Sequence, residues 1–100
     1  MVVTVFRSRL RPEYRTEYEH WATRMNDLAS KMPGFIAIKT FTAEDGERVS
    51  IVESESEETM RVWREHPEHH QAQTLGREKF YSEFRIQVCQ PIRDYAFQKK

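Results

Sequence analysis

One amphipathic stripe constrains the fold of this chain more than any other feature. Bulky apolar residues recur at alternating steps of four and three, at Tyr14, Tyr18, Trp21, Met25, Leu28 and Met32. This spacing predicts a helix of about five turns with one buried face. Pro12 suits the first turn of such a helix, and Pro33-Gly34 ends it. A face this bulky fits packing against a β-sheet.

Strand signals lie on both sides of this helix. The β-branched and aromatic run that opens the chain predicts a first strand over Val2–Leu10. Phe35–Thr42 and Arg48–Glu55 predict the second and third strands. Asp45-Gly46 lies between them and is typical of a tight hairpin turn.

The rest of the chain predicts a second helical region and a fourth strand. Ser54 or Ser56 can cap the helix, which breaks before Pro67 and then continues towards Tyr81. The alternating segment Phe84–Gln90 predicts the last strand. The order is β-α-β-β-α-β, which predicts an α+β, ferredoxin-like fold with a four-stranded antiparallel sheet and two helices on one face.

Apolar residues occur on both faces of the predicted sheet. Alternation separates Val3, Val5, Phe35, Phe41 and Val52 from Phe6, Ile36, Ile38 and Ile51. The helices can cover only one of these faces, so a partner is needed for the other. We therefore expect a homodimer in which a second copy of the chain covers the open face.

Length and charge narrow the class of protein. One hundred residues form one domain over positions 1–100, and 16 basic side chains balance 16 acidic ones. This balance argues against binding to nucleic acid or to an anionic membrane. A single cysteine, Cys89, together with the absence of a signal peptide or long apolar run, favours the cytoplasm.

Several short motifs resemble those of a known family. Pro33-Gly34-Phe35 after the long helix, the returning strand Val49–Glu53 and the stretch Trp63–His69 are similar to the antibiotic biosynthesis monooxygenase family of the dimeric α+β barrel superfamily. This resemblance implies a dimer with a small-molecule pocket between each sheet and its helices. Some members oxygenate aromatic polyketides without metal or flavin, whereas others degrade haem or remove small signal molecules.

The haem-degrading members of that family provide a test of cofactor use. They carry an asparagine on the first strand and, ten residues after the helical tryptophan, a histidine that ligates iron. Gln73 stands in place of that histidine when Trp63 is aligned with the tryptophan, and Ser8 stands in place of the asparagine when the first strands are aligned. The resemblance therefore argues against haem, and the chain also lacks a glycine-rich loop for a flavin or nucleotide. We expect no cofactor.

Three of the four histidines lie within five residues, at His66, His69 and His70. His66 and His70 have the four-residue spacing of a helical metal site, but Pro67 pushes His66 out of the helix, so we predict no metal site. These histidines are either a solvated helix start or include one general base that faces the pocket. His66 is the first candidate for this base and His70 the second.

Three further residues are candidates for substrate binding. Trp63 can form a pocket wall that stacks on a flat aromatic substrate, or it can be ordinary core packing. Tyr81 offers a phenolic donor, with core packing again the alternative. Arg7 either forms a salt bridge at the dimer rim or clamps an anionic oxygen of the substrate.

These observations predict a cofactor-independent monooxygenase that acts on a phenol or quinol. Trp63 would shape the pocket, and His66 or His70 would accept the proton. The alternative is a non-catalytic dimeric module of the same fold, which binds a ligand or responds to stress. A pocket without an accessible histidine, tyrosine or arginine would favour this second interpretation.

Overall fold

The computed structural model describes all of residues 1–100 and contains four strands and three α-helices. A 3₁₀ turn over Pro12–Tyr14 precedes the first helix, and a π-helical turn over Gly76–Phe80 follows the third. The regular elements are β1 (Val2–Leu10), α1 (Arg15–Ser30), β2 (Phe35–Thr42), β3 (Arg48–Ser54), α2 (Glu57–Arg64), α3 (Pro67–Leu75) and β4 (Tyr81–Cys89).

The four strands form one antiparallel sheet in the order β2-β3-β1-β4. The helices pack on one face of this sheet, so the predicted α+β ferredoxin-like fold is confirmed. None of the helices has the length and apolarity needed to cross a lipid bilayer.

The Pro33-Gly34 motif sets the path from α1 into β2. Gly34 has a φ of +86°, a conformation that favours glycine, and a Cβ at this position would collide with the side chain of Thr59. The carbonyl of Gly34 also accepts a 2.8 Å hydrogen bond from the backbone N–H of Glu55. The motif therefore holds the end of α1 close to the first turn of α2 and to the segment that leads into it.

The predicted hairpin and helix cap are also present. Gly46 has a φ of +92°, and the N–H of Ala43 donates to the carbonyl of Glu47 at 2.8 Å. The Oγ of Ser56 accepts from the N–H of Thr59 at 3.1 Å and caps α2. Ser54, the other candidate cap, is instead buried at the end of β3.

The last strand begins three residues earlier than the alternation predicts. β4 starts at Tyr81, which pairs with Leu10 of β1, because the wide π-helical turn ends the helix at Phe80. Phe80 itself is 2% exposed. Phe80 is therefore buried at the end of the helical turn, and Tyr81 begins the strand.

The register of β3 corrects the predicted faces of the sheet. Val52 pairs with Thr4, whereas Ile51 pairs with Val5. Direct partners share a face, so Val52 lies on the helix side and Ile51 on the open side. Phe35 also lies on the helix side, against the prediction. Alternation within one strand predicts which of its residues share a face. It does not predict which residues of the neighbouring strand lie on that same face. Apolar residues are nevertheless present on both faces of the sheet.

Candidate active site

A cavity of about 330 Å³ lies between the helices and the sheet. This volume lies within the usual range for small-molecule sites, roughly 300–1,000 Å³. Only seven residues of the chain are buried. The side chains between the helices and the sheet therefore surround a cavity instead of packing fully against one another. Aromatic and thioether side chains form much of the wall, among them Trp21, Met25, Phe35, Met60, Trp63 and Phe84.

The stripe of α1 and the face of α2 supply this wall as their spacing predicts. Tyr18, Trp21 and Met25 project from α1, and Met60 and Trp63 project from α2. Both tryptophans of the chain therefore line one cavity. Flat indole rings of this kind can stack on an aromatic ligand.

His69 is the histidine that faces the cavity. Its ring lies almost parallel to that of Trp63, with ring centroids 4.2 Å apart and an angle of 13° between the planes. Its Nδ1 lies 3.1 Å from the backbone carbonyl oxygen of Trp63. The amide nitrogen of Gln73, a donor, lies farther from the same Nδ1, at 3.4 Å. A carbonyl only accepts hydrogen bonds, so the shorter contact favours the proton on Nδ1 and Nε2 as the basic atom.

The surroundings of His69 also keep its imidazole neutral. Burial lowers the pKa of His69 below its ordinary value, and the nearby His66 and His70 act in the same direction against the carbonyl of Trp63. A neutral imidazole with a free lone pair is competent to accept a proton from a phenol or an enol.

The structure does not bring the two preferred histidine candidates to the cavity. His66 has extended backbone angles and caps α3, because its Nδ1 accepts a hydrogen bond from the N–H of Glu68 at 3.2 Å. His70 is exposed on α3 and does not line the cavity. Pro67 does exclude His66 from the helix, as predicted. The new helix, however, directs His69 into the cavity instead of His66 or His70.

Tyr81 lies at the cavity wall. Its ring packs edge-on against Phe6 at 5.4 Å and against Tyr18 at 5.8 Å. Burial, reinforced by Tyr18, raises the pKa of Tyr81, so its hydroxyl stays protonated at any physiological pH. A protonated phenol in this position is a hydrogen-bond donor.

Arg7 is a candidate that the structure places elsewhere. It lies on the open face of the sheet, where its guanidinium forms two hydrogen bonds of 3.0 and 2.9 Å with Glu47. Its neighbour Arg9 bridges Asp45 and Glu83 in the same way. The salt-bridge interpretation of Arg7 therefore matches the structure better than the substrate clamp.

Sequence reasoning missed two arginines that do line the cavity, Arg64 and Arg77. A signal for Arg77 was present. The cavity face of the last helical region carries residues at helical steps of three and four, at His69, Ala72, Gln73, Arg77 and Phe80. Extending the stripe back from Phe80 would have selected both Arg77 and His69.

Two buried hydroxyls on the sheet were also missed. Thr4 and Ser54 line the cavity and are only 6% and 1% exposed, yet the Oγ1 of Thr4 and the Oγ of Ser54 have no hydrogen-bond partner. Buried polar groups are normally paired, so an unpaired one requires an explanation. No three His, Cys, Asp or Glu side chains lie close enough together to form a metal site.

Comparisons with known proteins agree with this architecture. The sequence profile described as "Antibiotic biosynthesis monooxygenase" matches residues 1–75. The chain is also 30% identical over 92 residues to the uncharacterized protein YqjZ of Bacillus subtilis (strain 168), covering 92% of this chain and 81% of that protein.

Two solved structures illustrate the similarity of fold. Rv0793 from Mycobacterium tuberculosis has a TM-score of 0.82 at 18% identity, covering 95% of this chain and 98% of that one. SnoaB, a cofactor-independent oxygenase from Streptomyces nogalater, has a TM-score of 0.77 at 18% identity, covering 93% and 94%. At these identities the likeness shows the fold alone.

Proposed function

Because the chain belongs to the antibiotic biosynthesis monooxygenase family, we propose that it oxygenates a planar phenol or quinol in its cavity without a cofactor. The observation that carries this proposal is the neutral imidazole of His69 stacked on Trp63 in an apolar cavity. The similar fold of SnoaB, a cofactor-independent oxygenase, is compatible with this activity.

His69 begins the reaction by removing the substrate's acidic proton. Nε2 accepts this proton, and the negative charge spreads from the phenolate oxygen onto a ring carbon. That carbon transfers electrons to O₂ and forms a C–O bond, and the resulting peroxide anion recovers the proton from the imidazolium. Neutral His69 then removes the C–H proton from the same carbon. The O–O bond breaks, and the departing hydroxide leaves as water, so that substrate and O₂ give a quinone and H₂O.

The other cavity residues would assist this chemistry. Trp63 and Trp21 both line the cavity, where their rings would contact a flat substrate and exclude water from the reactive carbanion. The neutral hydroxyl of Tyr81 donates a hydrogen bond to a developing oxyanion. A pocket without an accessible histidine, tyrosine or arginine would favour the non-catalytic module. This cavity contains all three types.

Oxygen uptake with anthrone-type substrates tests the proposal. We expect uptake above the uncatalysed rate, with a loss of at least about tenfold in kcat for His69→Gln, since general-base catalysis contributes roughly 10²–10⁴-fold. His70→Gln is the matched control, because it makes the same change on an exposed face of the same helix. Equal rates for His69→Gln and the native protein would refute the role of His69 as the general base. Binding of phenols without any uptake would identify the non-catalytic module.

We further propose that the protein is a homodimer joined through the open face of the sheet. Val5, Val49 and Ile51 lie at the centre of this face, and the Arg7–Glu47 ion pair borders them. A partly exposed apolar centre with a charged rim is typical of a subunit interface. In addition, the C-terminal segment exposes 99% of Ile92 and 89% of Phe97, surface that a partner could cover.

Light scattering tests the dimer directly. We expect a mass of about twice the 12.1 kDa of one chain at micromolar concentration. Val5→Lys should shift the mass towards that of the monomer. Val62→Lys, an equivalent change at a 47% exposed position of α2, should not. A native mass near that of one chain would overturn the dimer.

A further inference from the structure

The charged side chains that line the cavity are of one sign only. The chain has 16 acidic residues, and none of them lines the cavity, whereas Arg64 and Arg77 do. Neither arginine forms an ion pair. By contrast, Arg7 and Arg24 each bind a carboxylate through two hydrogen bonds. The cavity therefore presents guanidinium groups that the protein itself leaves without an acidic partner.

The two arginines lie on the same side of the cavity as His69. The amide of Gln73 donates to the backbone carbonyl of Arg64 at 3.3 Å, and Arg77 follows Gln73 by one helical turn. The guanidinium of Arg77 lies 5.9 Å from the ring centroid of Phe84, a wall residue that is 38% exposed. Both arginines are themselves exposed. This arrangement places positive charge at the mouth of the cavity.

The sheet side of the cavity carries no charged side chain. Thr4 and Ser54 are diagonal neighbours there on β1 and β3, because Thr4 pairs with Val52 and Ser54 pairs with Val2. Their hydroxyl oxygens are closed off from water-sized groups, so a ligand in the cavity does not reach them. Arg64 and Arg77 are therefore the charged groups that such a ligand can contact.

We propose that the ligand of this cavity is a planar aromatic acid, a specification that rests on the proposed function. Its carboxylate pairs with Arg64 and Arg77 at the mouth, where the guanidinium geometry matches two carboxylate oxygens. Its ring lies against Trp63 and His69.

A pair of matched probes tests this assignment. Anthraquinone-2-carboxylate and anthraquinone-2-carboxamide have the same ring and differ in charge, and quenching of Trp21 and Trp63 fluorescence reports the binding of each. We expect the carboxylate to bind at least about tenfold more tightly at low salt, since charge-assisted hydrogen bonds are the stronger kind. Added NaCl should reduce this preference because the mouth is exposed.

Substitutions assign the preference to the two arginines. Arg77→Gln and Arg64→Gln should each weaken carboxylate binding while leaving the Kd of the carboxamide unchanged, which also shows that the cavity is intact. Arg15→Gln is the matched control, since Arg15 lies on α1 away from the cavity. Equal affinity for the two probes, or carboxylate binding unaffected by both cavity substitutions, would overturn the proposal.

The outcomes separate this inference from the proposed oxygenation. A carboxylate preference that depends on Arg64 and Arg77, with no oxygen uptake from any phenol, supports the aromatic acid and refutes the oxygenase. Oxygen uptake from neutral phenols, without a preference for the carboxylate probe, supports the oxygenase and refutes the aromatic acid.

Discussion

The imidazole of His69 lies stacked on the indole of Trp63 and is also hydrogen bonded to the backbone carbonyl of the same residue, at 3.1 Å. This double contact exists because the chain breaks between α2 and α3. Trp63 lies near the end of α2, and Pro67 starts α3 in a new direction, so that residue 69 folds back over residue 63. The indole removes water from the imidazole, and the carbonyl fixes its tautomer.

Replacing Trp63 should therefore change both stability and the titration of His69. Trp63→Ala should lower the free energy of unfolding by about 2 kcal/mol, less than for a fully buried tryptophan because Trp63 is half-buried. The pKa of His69 should rise towards its ordinary value as water reaches the ring. Urea unfolding and an NMR titration of the imidazole measure the two effects. Trp63→Phe keeps a ring beneath His69, and an equally large pKa change in that variant would contradict the desolvation argument.

The lowered pKa of His69 also predicts how stability depends on pH. In the unfolded chain His69 binds a proton near its ordinary pKa, about 6.5, whereas the folded protein resists protonation. The contribution of His69 to stability is therefore complete above that pH and is lost as the pH falls through the lower, folded-state pKa.

Urea unfolding at several pH values measures this dependence. The native protein should lose stability as the pH falls below about 6.5, and His69→Gln should show a shallower loss because the titrating group is absent. Identical slopes for His69→Gln and the native protein would show that burial does not perturb this imidazole.

The sequence predicted the fold well because its main signals are local. The stripe of α1, the Pro33-Gly34 stop and the Asp45-Gly46 turn each act over a few residues, and all three lie where they were predicted. The short motifs Pro33-Gly34-Phe35 and Trp63–His69 likewise carried the family resemblance, which the sequence profile confirms.

The base and the arginines required information that local patterns do not contain. Pro67 correctly indicated a break, but the direction of the new helix decides which histidine turns inward, and packing against α1 contributes to that direction. Alternation along β1 did place Arg7 on the face of Val3 and Val5, where it forms its salt bridge with Glu47. The inward position of Arg77 depends on the orientation of the last helical region, which is a tertiary property and was not predicted.

His66 should prove to be a structural residue. Its Nδ1 accepts a hydrogen bond from the N–H of Glu68 and caps α3. His66→Ala should lower the free energy of unfolding by about 1 kcal/mol, and His66→Asn should restore most of this loss because asparagine is a strong N-cap. Thermal unfolding measures both changes. A loss of oxygen uptake that stability does not explain, and that His66→Asn fails to rescue, would return His66 to the list of catalytic candidates.

The unpaired hydroxyls of Thr4 and Ser54 predict how their removal affects stability. Removing a buried hydroxyl that has no partner relieves its desolvation penalty, so Ser54→Ala and Thr4→Val should leave the free energy of unfolding unchanged or raise it slightly. Both variants should bind anthraquinone-2-carboxylate with the native affinity, since the two hydroxyl oxygens are closed off from the cavity.

Ser50 supplies the matched control for this last comparison. It lines the same cavity from the same strand as Ser54, but its hydroxyl forms a 2.8 Å hydrogen bond with that of Thr40. Ser50→Ala should therefore lower the free energy of unfolding by about 1 kcal/mol in a urea titration in which Ser54→Ala does not. An equal loss in the two variants would mean that the hydroxyl of Ser54 has a hydrogen-bond partner within the protein.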